Sequence, residues 1–178
     1  MSDAELRLLR VLADLRLPER WAALVATLAP RSDPPPSAIR LDDIEKVTES
    51  LGLRFTPREY DDEDVWPASR SQRYPDGELV MRITSLDPSS WTHRLAFALE
   101  FYPGTKFNSY GANRVEHLVA RIRDELDRPD VGPVADETWY QTYDDAHQAI
   151  AWFVELCRDV AGMYAEHHVL DPGSSAEG

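Results

Sequence analysis

One stretch near the middle of the chain constrains the fold more than any other, because it holds two long runs with a period of two residues. It covers residues 78–102 and reads ELVMRITSLDPSSWTHRLAFALEFY. Such alternation is typical of β-strands that bury one face. The connection at 87–90, DPSS, carries residues that favour turns. The stretch therefore predicts the central hairpin of a small antiparallel sheet.

The two arms of this hairpin also predict which side chains share a face. One face is consistently apolar and is expected to meet the core; its members are Leu79, Met81, Ile83, Leu95, Phe97, Leu99 and Phe101. The opposite face mixes small, charged and aromatic residues and is expected to meet water or a thin cover. Its members are Val80, Arg82, Thr84, Arg94, Ala96, Ala98, Glu100 and Tyr102.

Apolar residues at helical spacing predict helices on both sides of the hairpin. Two helices at residues 1–30, with Pro18 in the opening turn of the second, form an N-terminal helical hairpin. A third helix begins near Asp42 and ends at Gly52. A fourth is expected to be capped by Asn113 and to end before Pro129.

The strongest helical pattern lies near the end of the chain. Thr142 and Asp145 form a capping box. The apolar stripe that follows has spacings of three and four residues and consists of Ala146, Ile150, Phe153, Cys157, Val160, Tyr164 and His167. A helix of about 25 residues is roughly 37 Å long, so it is expected to lie across the sheet as its main helical wall.

Two short strands complete the prediction, one at 53–56 before the central hairpin and one at 137–141 after it. The polar residues 61–77 carry no regular pattern, and the part ASRSQRYPDG is expected to be a loop. The sequence therefore predicts an α+β fold: a small antiparallel sheet of three to four strands packed against helices, with an N-terminal helical hairpin.

The domain organisation is predicted from the distribution of proline. Residues 30–37, PRSDPPPS, form the one candidate boundary. We expect the hairpin at 1–30 to dock on the body, an α+β domain at 38–170, and a disordered tail at 171–178. Whether the hairpin packs on its own chain or exchanges between two chains is left open, as is the choice between monomer and homodimer.

The net charge and the length of the apolar runs argue against a nucleic-acid-binding protein and against a membrane-spanning protein. The 178 residues carry a formal net charge of −13, which repels nucleic acid and anionic lipid and attracts basic partners. Residues 21–26 and 149–154 are the longest apolar runs, far shorter than the ~20 residues of a membrane span. The first residues lack the pattern of a signal peptide, so a cytoplasmic location is expected. The single cysteine, Cys157, agrees with a reducing compartment.

The sequence contains no motif that indicates a catalytic residue, a metal site or a cofactor, so we predict none of these. Asp144 and His147 share a helix face, but a third ligand at matching spacing is missing. Cys157 lies on an apolar stripe, which predicts a buried, inert thiol. The loop at 104–111 contains a lysine but does not have the P-loop spacing.

The leading functional hypothesis follows from charge. We expect a non-enzymatic acidic protein that binds another protein, of the immunity, antitoxin or secretion-chaperone type, with a basic partner. The densest acidic patch is Asp61, Asp62, Glu63 and Asp64, and Trp66 beside it could serve as an aromatic anchor.

The alternative hypothesis is an enzyme or a small-molecule-binding protein. Its pocket would be lined by aromatic residues near the start of the last helix, namely Trp139, Tyr140, Tyr143 and Trp152. Core packing between sheet and helix explains the same four residues without a ligand.

Overall fold

The computed structural model describes residues 3–28, 41–57, 68–75, 77–86, 94–103, 114–134 and 143–169. The helices in these ranges are α1 Asp3–Asp14, α2 Leu17–Thr27, α3 Leu41–Ser50, α4 Val115–Glu125 and α5 Tyr143–Val169. The strands are β1 Thr56–Pro57, β2 Ala68–Tyr74, β3 Gly77–Leu86 and β4 Arg94–Pro103. The predicted α+β class, with an N-terminal helical hairpin made of α1 and α2, is confirmed.

The strands form one antiparallel sheet in the order β1-β2-β3-β4. β3 and β4 pair along their whole length, from Gly77 opposite Pro103 to Leu86 opposite Arg94. This confirms the predicted central hairpin. Because paired residues in an antiparallel ladder point to the same side, the register also fixes the two faces of the sheet.

The apolar face of the sheet packs on α5 in the core. The Phe153 ring stacks on Phe97 with centroids 4.8 Å apart, and the Tyr164 ring stacks on Phe101 at 5.1 Å. The described members of the predicted core face are all buried: Leu79, Met81, Ile83, Phe97, Leu99 and Phe101. Neither α5 nor another helix within the described ranges combines the length and apolarity that crossing a membrane requires.

The N-terminal hairpin shares this core. Leu9 and Leu12 of α1 and Leu17 and Trp21 of α2 are buried in the same cluster as the sheet and α5. Arg20 Nη1 lies 2.7 Å from Asp159 Oδ2 of α5, which ties the outer sides of the two helices. A shared apolar core and an ion pair therefore connect the hairpin to the long helix.

The strand β2 corrects the prediction of a polar loop at 68–77. β2 pairs with β3 from Ala68 opposite Ile83 to Tyr74 opposite Gly77. From Arg70 to Tyr74, the residues on its core side are polar or amphipathic rather than apolar. Tyr74, for example, packs on the Tyr164 ring at 5.4 Å and donates its hydroxyl hydrogen to Ala161 O at 3.2 Å. A hydropathy pattern counts such residues as polar even when their carbon atoms cover a core.

Two further boundaries differ from the prediction. The first strand was expected at 53–56, but the ladder contains only Thr56 and Pro57. Leu53 and Phe55 are buried all the same, and the Phe55 ring lies 6.5 Å from that of Phe153. The N-cap of α4 is Arg114 in an extended conformation, without a side-chain capping bond. A buried apolar stripe therefore fixes α4 without the predicted asparagine cap.

Gly77 occupies a crowded place at the start of β3. A Cβ atom at this position would lie 2.2 Å from the backbone oxygen of Tyr102 and 2.8 Å from the Phe101 ring. Distances this short are not compatible with a side chain, so the close approach of β4 requires glycine here.

Several predicted segments lie outside the described residues. These are the proline-rich connector at 30–37, the strand at 137–141 and the tail at 171–178. The predicted division into a hairpin and an α+β domain therefore stays a prediction.

Candidate functional site

On the second face of the sheet, the described β4 residues and Val80 of β3 are covered, although they are mixed in character. Val80, Ala96, Ala98, Glu100 and Tyr102 are all buried. None of them belongs to the main apolar core, as the alternation of the strands requires. The alternation correctly predicts which residues share this face but does not predict how thoroughly it is covered.

Three polar side chains meet on this second face, and we call them the polar cluster. Arg82 Nη1 lies 3.2 Å from Glu100 Oε2, and the Tyr102 hydroxyl donates to the same carboxylate oxygen. Arg82 Nη2 lies 3.4 Å from the Tyr102 hydroxyl. Because the Glu100 side chain is only 4% exposed, a substrate would not reach it. The polar cluster satisfies buried charge within the fold.

A groove of about 390 Å³ lies between α2 and the turn that follows α4, and we call it the α2 groove. Its volume is within the range of about 300–1,000 Å³ that is usual for binding pockets. The lining residues are Pro18, Glu19, Trp21, Ala22, Val25, Ala26, Val119, Asp130, Val131, Gly132, Pro133 and Val134. The α2 groove is thus formed by one face of α2, Val119 of α4 and the irregular segment 130–134.

The floor of the α2 groove is aromatic. Trp21 is buried beneath it, and the ring lies 5.7 Å from that of Trp152 on α5. Trp152 is half-buried and also lies 6.2 Å from the Phe97 ring. Trp152 thus contacts both Trp21 and the core residue Phe97, and this packing fixes the position of the Trp21 ring at the groove floor.

The charged residues of the lining are both acidic and both exposed. Asp130 accepts hydrogen bonds from Arg128 at 2.8 and 2.7 Å, and these bonds hold the pKa of the Asp130 carboxyl below its ordinary value. Glu19 lies 3.6 Å from the Arg16 guanidinium in a pair whose side chains are 74% and 47% exposed. The α2 groove therefore combines an apolar interior with carboxylates at its edge.

The sequence alone did not reveal the α2 groove. The apolar spacing of the second helix predicts that Trp21 and Val25 are buried, and residues 129–136 are predicted to be turn-like. Small residues next to this stripe also line the groove: Ala22 and Ala26 are exposed. Small apolar side chains on an exposed helix face leave room beside the helix, although this pattern is not specific.

Cys157 is buried in the core, as its place on the apolar stripe predicts. Burial raises the pKa of the thiol well above its ordinary value, so the sulfur stays protonated at neutral pH. His117 and His147 are exposed on α4 and α5. Across the described ranges, no group of three or more His, Cys, Asp or Glu residues is arranged to hold a metal ion.

The residues predicted to form a site are only partly covered by the described structure. Asp61, Asp62, Glu63, Asp64 and Trp66 lie outside it, so the acidic patch stays a prediction.

The predicted aromatic pocket is covered at one position only. The side chains of Trp139, Tyr140 and Tyr143 lie outside the described residues. Trp152 is described, and its ring packs on Trp21 behind the α2 groove. The pocket therefore stays a prediction as well.

No protein-family model matches the chain, and no curated protein or solved structure is significantly similar to it.

Proposed function

We propose that this chain is a non-enzymatic acidic protein that binds a basic partner protein, of the immunity, antitoxin or secretion-chaperone type. The observation that carries the proposal is the formal net charge of −13 on 178 residues. A charge of this size attracts cationic surfaces over a distance set by the salt concentration and speeds their encounter.

The distribution of ion pairs among the described residues is compatible with this proposal. Eight arginines are paired with carboxylates of the same chain: Arg16, Arg20, Arg54, Arg82, Arg114, Arg121, Arg123 and Arg128. Asp14, Glu155 and Glu166 are exposed and form no ion pair with the described part of the chain. These three carboxylates lie on two helices, α1 and α5, where a cationic partner can reach them.

The burial of the reactive groups also favours binding over catalysis. Glu100 is enclosed with Arg82 and Tyr102, and Cys157 is enclosed in the apolar core. A general acid or a nucleophile must reach its substrate, which neither group can do in this arrangement. The ion pair of Glu100 and the core packing of Cys157 explain both residues without a catalytic role.

The acidic patch at Asp61–Asp64 and the neighbouring Trp66 are proposed as contact residues. In such an interface, exposed carboxylates would speed association, whereas a buried tryptophan would slow dissociation. The two kinds of residue should therefore affect different rate constants.

The test begins with capture of a partner from the source cell by the tagged chain. Association of the purified pair is then measured by surface plasmon resonance at several salt concentrations. We expect the association rate constant to fall steeply with salt, because the screening length shortens to about 8 Å at physiological ionic strength. The variant in which Asp61, Asp62, Glu63 and Asp64 become Asn or Gln should associate several-fold more slowly at low salt. Trp66→Ala should instead raise the dissociation rate constant.

The proposal fails if the association rate is indifferent both to salt and to the neutralised variant. Recovery of a tightly held small molecule in place of a protein would favour the ligand-binding alternative instead.

A further inference from the structure

The α2 groove is accessible to a partner, and its wall is mostly apolar. Ala22, Ala26, Gly132 and Pro133 are exposed along it, while Trp21 closes the floor. Open apolar surface gains free energy when another apolar surface covers it. The groove is therefore suited to receive side chains from outside.

The character of the lining argues against a polar small molecule. Pockets for such ligands place a few fixed polar groups inside an apolar cavity. In the α2 groove the polar side chains are Glu19 and Asp130, and both are exposed rather than buried. These two carboxylates thus lie at the edge of the groove, where they can contact a partner larger than the groove itself.

The charge of the chain argues against a second copy as the occupant. Two molecules of formal net charge −13 repel each other, and the charged residues of the groove lining are also acidic. A partner segment with basic residues next to its apolar ones is complementary in both respects.

We propose that the α2 groove docks an amphipathic segment of a basic partner protein. Apolar side chains of that segment pack against Val25 and Pro133, and flanking Lys or Arg side chains meet Glu19 and Asp130. This inference rests on the proposed function and adds the place and chemistry of one contact.

The ion pairs already present at the rim can give way to such a partner. The Arg16–Glu19 pair spans 3.6 Å between exposed side chains, and pairs of this kind contribute little to stability. Arg128 forms the tighter pair with Asp130 and also interacts electrostatically with Glu19. An incoming cation would therefore replace Arg16 at Glu19 more readily than Arg128 at Asp130.

Two glycines give a matched pair of variants for the test. A Cβ at Gly132 in the groove wall would have no atom within 4 Å, and the same holds for Gly162 on the exposed side of α5. Gly132→Arg places a bulky cation in the groove, whereas Gly162→Arg makes the same change of charge away from it. Any difference between the two variants therefore reports the position and not the charge.

The probe is a synthetic amphipathic helical peptide of leucine and lysine, titrated into each protein by isothermal calorimetry. We expect the parent to bind it at low salt, Gly132→Arg to raise the Kd at least tenfold, and Gly162→Arg to change it less than twofold. Amide chemical shifts of the parent should move at Ala22, Val25 and Gly132.

Equal weakening by both variants would overturn the docking site, since binding would then depend on overall charge, and the proposed function would stand. Absence of peptide binding would also overturn it, and the salt dependence of the captured partner would then decide the proposed function separately.

The other occupants predict different results. If another part of this chain fills the groove, Gly132→Arg should lower the denaturation midpoint relative to Gly162→Arg. If a second copy fills it, light scattering should show a dimer for the parent and a monomer for Gly132→Arg. A small molecule that co-purifies with the parent but not with Gly132→Arg would show a ligand pocket. Each of these results would overturn the proposal.

Discussion

On one face of the sheet, β4 presents Phe97 and Phe101 to the rings of α5, while on the other face it presents Glu100 and Tyr102 to Arg82. These β4 residues are buried on both faces, but the two Phe rings gain free energy from apolar area, whereas the Glu100 carboxylate only avoids the cost of an unpaired buried charge. A buried carboxylate is tolerated because two donors satisfy it. Burial on a strand therefore does not require apolar residues when neighbouring polar groups form ion pairs and hydrogen bonds with one another.

The largest effect is expected from removing a ring of the apolar face. Phe153→Ala should lower the free energy of unfolding by about 3–5 kcal/mol, because the ring stacks on Phe97 and is fully buried. Denaturant unfolding followed by circular dichroism measures the change. A variant as stable as the parent would show that α5 does not pack on this face.

The polar cluster should respond to a single replacement but tolerate a complete one. Glu100→Ala leaves the partly buried Arg82 without its carboxylate and should cost about 3 kcal/mol. Replacing Arg82, Glu100 and Tyr102 together by Met, Leu and Phe should come within about 1 kcal/mol of the parent, because apolar residues of similar volume often substitute for a buried ion pair. If the triple variant is less stable to unfolding than Glu100→Ala, the second face requires its charged residues, and apolar residues cannot replace them.

Tyr74 gives the apolar face a dependence on pH. Burial raises the pKa of Tyr74 from 10.0 to about 12, so the folded state holds the phenolic proton more tightly than the unfolded state does. Its contribution to stability is complete below about pH 10 and is lost as the pH rises towards 12. Tyr74→Phe should lose the bond to Ala161 O, about 1 kcal/mol at pH 8, but should decline less between pH 10 and 12. Parallel curves for parent and variant would refute the shift.

The smallest effect is expected at the outer side of α5, away from both faces. Asp159→Asn removes the ion pair with Arg20 and should cost less than about 1 kcal/mol, because Asp159 is 46% exposed and the pair is solvated. Added salt should weaken the parent towards the variant in the same unfolding experiment. A loss as large as that of Phe153→Ala would mean that charge, rather than packing, holds the N-terminal hairpin on α5.

The sequence predicted those parts of the fold in which apolar residues repeat at regular spacing. Leu79, Met81 and Ile83 alternate cleanly, and the stripe of α5 persists over many turns, so β3 and the long helix were both expected. β2 was missed because its core-facing contacts come from Tyr74, whose ring packs while its hydroxyl keeps a polar partner. Side chains of this kind carry two characters at once, and a hydropathy pattern records only one of them.

The candidate site was less predictable for a related reason. Trp21 was correctly expected to be buried, but the α2 groove depends on how α2 lies beside 131–134, segments about a hundred residues apart in sequence. Sequence spacing describes one helix at a time and does not describe the space between two segments. The net charge, in contrast, depends only on amino-acid composition and could be calculated from the sequence.

The missing side chain of Gly77 makes room for the backbone oxygen of Tyr102 and for the Phe101 ring, where β4 approaches the start of β3. In a library that samples every amino acid at each position, survivors should retain glycine at 77 and accept many residues at 132 and 162, where a Cβ meets open space. A single alanine at 77 would push β4 away from the start of β3 and weaken the pairing of the two strands at this end. Random sequence drift should therefore be slowest at a residue that contributes no side-chain contact of its own.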